Sequence, residues 1–152
     1  MPISARYTHT NLVARDWRSL ALFYQEVLSC VPVPPERDLS GPSLDAATGL
    51  PGAHITGVHL RLPGCGDDGP TLELFQYETL ADGPAPALNR PGFAHLAFAV
   101  EDVAAAREAV LAAGGTALGE TVTLTIADGR RVTFCYLADP EGNAVELQSW
   151  AR

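Results

Sequence analysis

An internal repeat constrains the fold of this 152-residue chain more than any other feature of its sequence. His9 begins a short apolar segment that ends at Asp16, and His95 begins a similar segment that ends at Asp102, so each histidine precedes its aspartate by seven positions (16 − 9 and 102 − 95). Apolar residues then follow at helical spacing in both copies, and Asp16 is well placed to cap the first helix. The repeat predicts two copies of one supersecondary motif.

Each copy also ends in an alternating strand that carries a glutamate between two apolar residues. The glutamate is Glu73 in the segment 71–77 and Glu146 in the segment 144–150. The sequence Asp128-Gly129 is a strong hairpin signal in the second copy. Further strands are predicted at 54–62, 121–126 and 131–137. Each copy therefore reads as β-α-β-β-β, which predicts the α+β fold class.

The proposed organisation is a single domain, 1–152, built from two modules. Module one spans about residues 6–78 and module two about residues 92–150, with a linker at about 79–91. The Pro- and Gly-rich segment 32–52 is predicted to form a long loop within module one. Since 152 residues fit one ordinary domain, both modules are expected to share it.

Composition excludes several classes of function. The formal net charge is −8 and no Lys/Arg run occurs, so nucleic acid and anionic membrane surfaces are not expected partners. No apolar stretch reaches the roughly 18 residues of a membrane span, and the N-terminal segment lacks the apolar centre of a signal peptide. The three cysteines are widely spaced and odd in number, which favours reduced thiols and a cytoplasmic protein.

Strand alternation divides the predicted sheets into an aliphatic face under the helices and a polar face. This polar face has two possible explanations. It is exposed to solvent, as one face of an antiparallel sheet often is, or it lines a cavity between two curled sheets. Its histidines, glutamates and small alanines favour the cavity. The polar face carries His9, Asn11, His59, Arg61, Thr71, Glu73, Phe75, Tyr77, His95, Ala97, Ala99, Glu146 and Gln148.

Four of these side chains form a candidate metal-ligand set: His9, Glu73, His95 and Glu146. Singly, each residue type is more often structural or solvated than a ligand, but the second pair repeats the first. Packing of the two copies with pseudo-twofold symmetry would bring all four together. Two imidazoles and two carboxylates suit an octahedral first-row divalent ion with two open positions. Such an ion acts as a Lewis acid on a substrate that carries neighbouring oxygens.

The quoted segments also resemble a known superfamily. H-x-N-L-V-x-R-D, L-E-L, G-F-A-H-L-A-F-x-V-x-D and D-P-E-G-N-x-V-E-L are similar to motifs of the vicinal-oxygen-chelate superfamily, across about residues 6–150. Its members include glyoxalase I, methylmalonyl-CoA epimerase, extradiol dioxygenases, and fosfomycin- and bleomycin-resistance proteins. The resemblance implies two βαβββ modules forming a half-open β-barrel around a metal site, and a homodimer.

The resemblance assigns the family's ligand positions to the same four residues. Position 73 is a glutamate in glyoxalase I and typically a glutamine in the epimerase, so Glu73 favours the former. Extradiol dioxygenases and fosfomycin-resistance enzymes need only two histidines and one glutamate, which His9, His95 and Glu146 would supply. Gly52 stands where the epimerase carries its catalytic glutamate, so that mechanism would require another base, such as His54 or a metal-bound glutamate.

The predicted function is a glyoxalase-like lyase or isomerase that depends on a divalent transition metal (Zn, Ni, Co, Mn or Fe). It would remove a proton next to a carbonyl of a small substrate, with Glu146 or Glu73 as the proton acceptor. An iron(II) extradiol-type dioxygenase and a metal-free antibiotic-binding protein are the alternatives. Arg61 either binds a substrate anion or lies with His59 at a wet sheet margin. The predicted substrate-binding residues are Asn11, Arg61, Phe75 and Gln148.

Overall fold

Each half of the chain folds into one β-sheet, of four strands in the first half and five in the second, with an α-helix after its first strand. The computed structural model describes residues 1–151. The elements are β1 (His9–Val13), α1 (Trp17–Leu28), β2 (Val31–Ser40), α2 (Pro42–Thr48), β3 (His54–Arg61), β4 (Thr71–Tyr77), β5 (His95–Ala99), α3 (Val103–Ala112), β6 (Thr116–Ala117), β7 (Val122–Thr125), β8 (Arg131–Ala138) and β9 (Ala144–Ala151).

The chain divides into two compact units, which we call unit one (Met1–Asp82) and unit two (from Gly83 onwards). The sheet of unit one has the order β1-β4-β3-β2, with β1 parallel to β4 and the other neighbours antiparallel. The sheet of unit two has the order β5-β9-β8-β6, with β5 parallel to β9 and β7 also paired to β8. The predicted α+β class is confirmed, and each unit follows the predicted β-α-β-β-β order with one addition, helix α2 in unit one and a fifth strand in unit two.

Both long helices begin at an aspartate cap. The Asp16 carboxylate accepts a hydrogen bond from the Ser19 backbone N–H at 3.1 Å, and the Asp102 carboxylate accepts one from the Ala105 N–H at 3.0 Å. These bonds satisfy amides that lack partners in the first helical turn. The longest helix within residues 1–151 has 12 residues, and no helix in that range is long and apolar enough to cross a bilayer, which takes about 20 residues.

The aliphatic face of each sheet forms a buried core against its helix. In unit one, Leu60, Leu72 and Leu74 are fully buried, and Trp17 and Leu20 of α1 are buried with them. In unit two the buried residues are Val103, Val110, Leu137, Val145 and Leu147. Burial of apolar surface stabilises each unit by roughly 25 cal/mol per Å². Because side chains alternate along a strand, this packing directs the intervening residues to the opposite face.

The predicted loop at 32–52 is wrong. The segment forms strand β2 and the short helix α2, and the register with β3 shifts between Val33 and Arg37, where the cis Pro34-Pro35 bond lies. Strand β2 is an edge strand, and an edge tolerates proline because the missing N–H need not bond a second neighbour. The strand β6 was not predicted either, since two residues carry no alternation signal.

One glycine in the sheet of unit one permits an unusually close approach. Gly57 on β3 pairs with Phe75 on β4. A Cβ atom at position 57 would lie 2.0 Å from the Leu74 carbonyl oxygen and 2.8 Å from the Phe75 ring. No side chain fits at such distances without moving the backbone of the neighbouring strand. Glycine is therefore required here for space rather than for backbone conformation.

Candidate metal centre

The strand register of unit one gathers polar side chains around Glu73. Glu73 on β4 pairs with Asn11 on β1 and with His59 on β3, so these three side chains share a face. His9 lies two residues before Asn11 and projects to the same face. The Glu73 side chain is only 10 % exposed, because the neighbouring side chains cover it.

Two imidazoles and one carboxylate converge on this face. The His59 Nε2 atom lies 2.7 Å from Glu73 Oε2, and the His9 Nε2 atom lies 3.5 Å from Glu73 Oε1. One ligand-capable atom from each of the three residues lies within 4.8 Å of the other two. The His9 and His59 rings meet edge to face, with centroids 5.4 Å apart. We call His9, His59 and Glu73 the unit-one cluster; its donor set suits a divalent transition metal.

Each member of the unit-one cluster also has a hydrogen-bond partner outside it. Such outer partners fix the ring or carboxylate orientation in protein metal sites. The Thr71 hydroxyl can donate or accept, so it suits either tautomer of a neutral imidazole. The outer bonds are Asn11 Nδ2 to Glu73 Oε1 at 2.9 Å, Thr71 Oγ1 to His59 Nδ1 at 2.8 Å, and Thr8 Oγ1 to His9 Nδ1 at 3.3 Å. The cluster therefore fits a metal ion in both its donors and their support.

Burial keeps the His59 ring in the form that binds metal. It lowers the pKa of His59 below the ordinary value for an imidazole, and the nearby Glu73 carboxylate opposes that shift. The charge of Arg37 lowers the pKa of His59 further. A lowered pKa favours the uncharged ring, which is the form of imidazole that binds metal.

At the equivalent register, unit two has one imidazole fewer than the unit-one cluster. Glu146 on β9 pairs with Ala97 on β5 and with Tyr136 on β8. The His95 Nε2 atom lies 3.2 Å from Glu146 Oε2, and the Tyr136 ring packs edge-on against His95 at 5.2 Å between centroids. Burial raises the pKa of the Tyr136 phenol, and the Glu146 carboxylate adds to the rise. We call His95, Tyr136 and Glu146 the unit-two group.

The structure thus pairs His9 with Glu73 and His95 with Glu146, and adds His59. Sequence alternation placed His59 on the polar face but did not include it among the ligands. The missing signal was the β3–β4 register, which sets His59 directly opposite Glu73. Tyr136 occupies the same register position in unit two, opposite Glu146. Among residues 1–151, His9, His59 and Glu73 form the one group of three ligating side chains.

The predicted substrate-binding residues lie at different points of these faces. The Asn11 amide is bound to Glu73. The Arg61 Nη1 atom lies 3.6 Å from Asp67, and its buried Nε has no hydrogen-bond partner within residues 1–151. The Phe75 ring packs edge-on against His59, with centroids 6.4 Å apart. In unit two, Gln148 pairs with Ala99 and Phe134 on the face that carries Glu146.

Comparison with known proteins agrees with this architecture. The model of the glyoxalase-like domain family matches residues 9–148, and no curated protein matches the sequence. A glyoxalase family protein from Bacillus cereus is similar in structure, with a TM-score of 0.81 and 20 % identity over 99 % of this chain and 97 % of that one.

Two further solved structures share the fold at the same level of identity. A glyoxylase/bleomycin resistance protein/dioxygenase domain from Frankia sp. EAN1pec has a TM-score of 0.65 and 20 % identity, over 98 % of this chain and 100 % of that one. A glyoxalase I mutant from Zea mays has a TM-score of 0.60 and 20 % identity, over 93 % of this chain and 45 % of that one. These likenesses show the fold, and the family model shows the family. The chain belongs to the glyoxalase-like domain family of the vicinal-oxygen-chelate superfamily.

Proposed function

We propose that this protein is a lyase or isomerase that depends on a divalent transition metal and removes a proton next to a carbonyl of a small substrate. The unit-one cluster carries the proposal. Its three donors lie within 4.8 Å of one another, and each is held from behind by a further hydrogen bond. A cluster that served only as a wet polar face would not need each donor to be oriented in this way.

The unit-one cluster would hold the ion. A bound divalent ion supplies Lewis-acid polarisation of the substrate carbonyl, which makes the adjacent C–H bond more acidic. The chain's own residues fix the geometry: Thr71 orients the His59 ring, and Asn11 holds one oxygen of Glu73. We therefore propose that Asn11, predicted to bind substrate, instead positions the carboxylate. The family resemblance also assigns His95 and Glu146 to the metal, and this assignment stays a proposal.

Hydrogen bonding distinguishes the two glutamates as proton acceptors. Glu73 is held by Asn11 and lies against the imidazoles of His59 and His9, so it is placed to bind the ion together with them. One oxygen of Glu146 lies 3.2 Å from His95 Nε2, and Glu146 faces the small side chain of Ala97. We propose that Glu146 takes the proton from the hydroxyl-bearing carbon of an α-hydroxycarbonyl substrate and returns it to the carbonyl carbon, while the hydroxyl proton passes to the former carbonyl oxygen, so that the isomerisation balances.

The remaining parts of the proposal rest on residue chemistry and the resemblance. Arg61 would bind a negatively charged substrate group, since its Nε lacks a partner within residues 1–151. Phe75 and Gln148 would contact the substrate from the same faces as the two glutamates. A homodimer is proposed from the resemblance, and a cytoplasmic location from the odd number and wide spacing of the cysteines.

One observation favours a second candidate, an iron(II) extradiol-type dioxygenase. Two histidines and one carboxylate form the donor set typical of non-haem iron(II) oxygenases. The unit-one cluster has that composition. Oxygen consumption distinguishes the two candidates, because proton transfer in a lyase or isomerase uses no oxygen.

Elemental analysis of protein prepared without a histidine tag tests the metal centre. We expect a stoichiometric transition metal that His59→Ala and Glu73→Ala remove. His9→Ala is compared with His54→Ala, because both side chains are 39 % exposed and His54 lies outside the cluster. His54→Ala should retain the metal. Absence of metal from the wild type under every loading condition would refute the enzyme and leave the metal-free binding protein.

Two substrate panels test the reaction. With α-ketoaldehyde–thiol adducts in deuterated water, we expect metal-dependent exchange at the carbon next to the carbonyl, and Glu146→Gln should abolish it. With catechols under oxygen, we expect no oxygen uptake. Uptake by the iron-loaded protein, without exchange on the first panel, would favour the dioxygenase.

A further inference from the structure

A cavity of about 470 Å³ opens in unit one, away from the unit-one cluster. Its walls come from the ends of strands β1 and β4 and from the segments that follow α2 and β4. Most of the lining is apolar, including Val13, Leu50, Ala53 and Leu80, and Tyr77 supplies a polar edge. Small-molecule sites have this size and this mixture of apolar walls with few polar groups.

Two residues that line the cavity, Val13 and Tyr77, lie on the same sheet face as the cluster. His9, Asn11 and Val13 alternate onto one face of β1, and Glu73, Phe75 and Tyr77 onto the same face of β4. His9 and Val13 are four positions apart, as are Glu73 and Tyr77, and this spacing corresponds to about 13 Å along each strand. A molecule anchored at the cluster therefore reaches the cavity by extending over Phe75.

The polar side chain of His54 at the cavity wall does not favour binding of a charged ligand. His54 lines the cavity, and its Nε2 and Nδ1 atoms lie 2.7 Å from Asp38 and 3.1 Å from Glu78. Both ring nitrogens are thus occupied, and the two carboxylates outnumber the imidazole in charge. An anionic group would be repelled there, and a cation would have to give up its hydration against apolar walls. The lining suits an uncharged apolar group.

We propose that this cavity binds the uncharged apolar end, an aryl or medium-length alkyl group, of a substrate whose neighbouring oxygens bind at His9, His59 and Glu73. The inference rests on the proposed function, because the metal centre anchors the other end. It adds the substrate class: an elongated molecule with an oxygen-rich head and an apolar tail, separated by about 13 Å.

A series of n-alkyl hydroxamates on the metal-loaded protein tests the proposal by calorimetry. The hydroxamate head has two neighbouring oxygens, and the tail length varies. We expect an affinity that changes little for short tails and then rises about three- to fourfold for each methylene that enters the cavity. Affinity that is independent of tail length over the whole series overturns the proposal.

Two leucine variants provide the matched comparison. Leu50 lines the cavity, Leu22 lies on α1 outside it, and both are 50 % exposed. Leu50→Asn should weaken binding of the longest hydroxamate at least tenfold and leave acetohydroxamate binding unchanged, whereas Leu22→Asn should change neither. Equal weakening in the two variants overturns the proposal.

A metal-free arm separates failure of the cavity from failure of the metal centre. Titration of metal-free protein with 1-octanol, followed by amide NMR, should shift the signals of residues 50–54 and 79–81. If the protein holds no metal and acetohydroxamate does not bind, the proposed function fails. The octanol titration then tests by itself whether the cavity binds an apolar molecule. Octanol shifts spread evenly over the protein overturn the cavity proposal, even where metal binding holds.

Discussion

Units one and two share one scaffold but differ in the side chains that support their histidine–glutamate pair. His9 and His95 occupy equivalent positions, as do Glu73 and Glu146. The equivalent positions around them differ: Thr8, Asn11, His59 and Thr71 in unit one correspond to Ala94, Ala97, Tyr136 and Ala144 in unit two. All three outer hydrogen-bond partners of the unit-one cluster are therefore alanines in unit two.

The difference shows how a repeated motif specialises without changing its fold. In unit one, ligands and supports fix three donors in place, which favours tight binding. In unit two, Glu146 keeps its histidine but has neither the amide nor the second imidazole. A less restrained carboxylate is better suited to accept and release a proton. We therefore expect the histidine–glutamate pair of unit one to bind a metal ion more tightly than the pair of unit two.

Core substitutions at equivalent positions should have the largest effect and should not distinguish the units. Leu74 and Leu147 are both fully buried, opposite Leu12 and Phe98. Leu74→Ala and Leu147→Ala are each expected to lower the free energy of unfolding by about 2–5 kcal/mol, because each leaves a cavity. Urea denaturation measures the loss. A negligible change in one of them would break the structural equivalence of the units.

Exchange of the side chains opposite the two glutamates, His59 in unit one and Tyr136 in unit two, should have the next largest effect, which is on metal affinity. His59→Tyr gives unit one the side chain of unit two and should weaken metal binding by roughly 100-fold or more, since loss of outer partners alone costs 10–100-fold. Chelator competition measures the affinity. In a His9→Ala background, Tyr136→His should restore metal binding, because it adds an imidazole opposite Glu146. No recovery would mean that the two registers are not interchangeable.

Removal of one outer hydrogen-bond partner of the unit-one cluster should have a smaller effect on metal affinity. Asn11→Ala reproduces the alanine of unit two and removes the amide that holds Glu73. We expect metal affinity to fall about 10–100-fold. Asn89→Ala in an exposed segment is the control and should leave affinity unchanged. An unchanged affinity in Asn11→Ala would show that His59 and His9 orient the carboxylate unaided.

The smallest predicted effect concerns pH. Hydrogen bonds to Asp38 and then to Glu78 raise the pKa of His54 above its ordinary value, whereas the equivalent residue of β8 is Arg131, which stays charged. A raised pKa in the folded state stabilises the protein below the unfolded value of about 6.5, and the stabilisation is lost as pH rises through the folded pKa. His54→Gln should therefore lower the Tm at about pH 6 and not at about pH 9. Arg131→Gln should show no such dependence over this range.

The repeat made most of the fold predictable from the sequence. The spacing of His9 to Asp16 and of His95 to Asp102 located both first strands and both helix starts, which the structure confirms. The strand β2 was not predictable because its prolines outweigh a weak alternation, and its edge position is what tolerates them. Edge position is a property of the whole sheet, which local sequence does not encode.

The site was predictable in part, for a related reason. Alternation identifies the face on which His59 lies, but only the register between two strands gives its partner. The cavity wall at Leu50 and Leu80 joins segments 30 positions apart (80 − 50) that carry no motif. Contacts of this kind arise from the path of the chain after its strands end, so periodicity carries no information about them.

Gly57 sets a limit on how this protein can change. Because no side chain fits at that point, mutation cannot place a new group over Phe75, between the His9–Glu73 end of the face and Val13. Substitution of the cavity lining is less constrained in the segments after α2 and β4, where Leu50 and Leu80 are exposed. Substitutions in those segments would change the proposed cavity and leave His9, His59 and Glu73 unchanged.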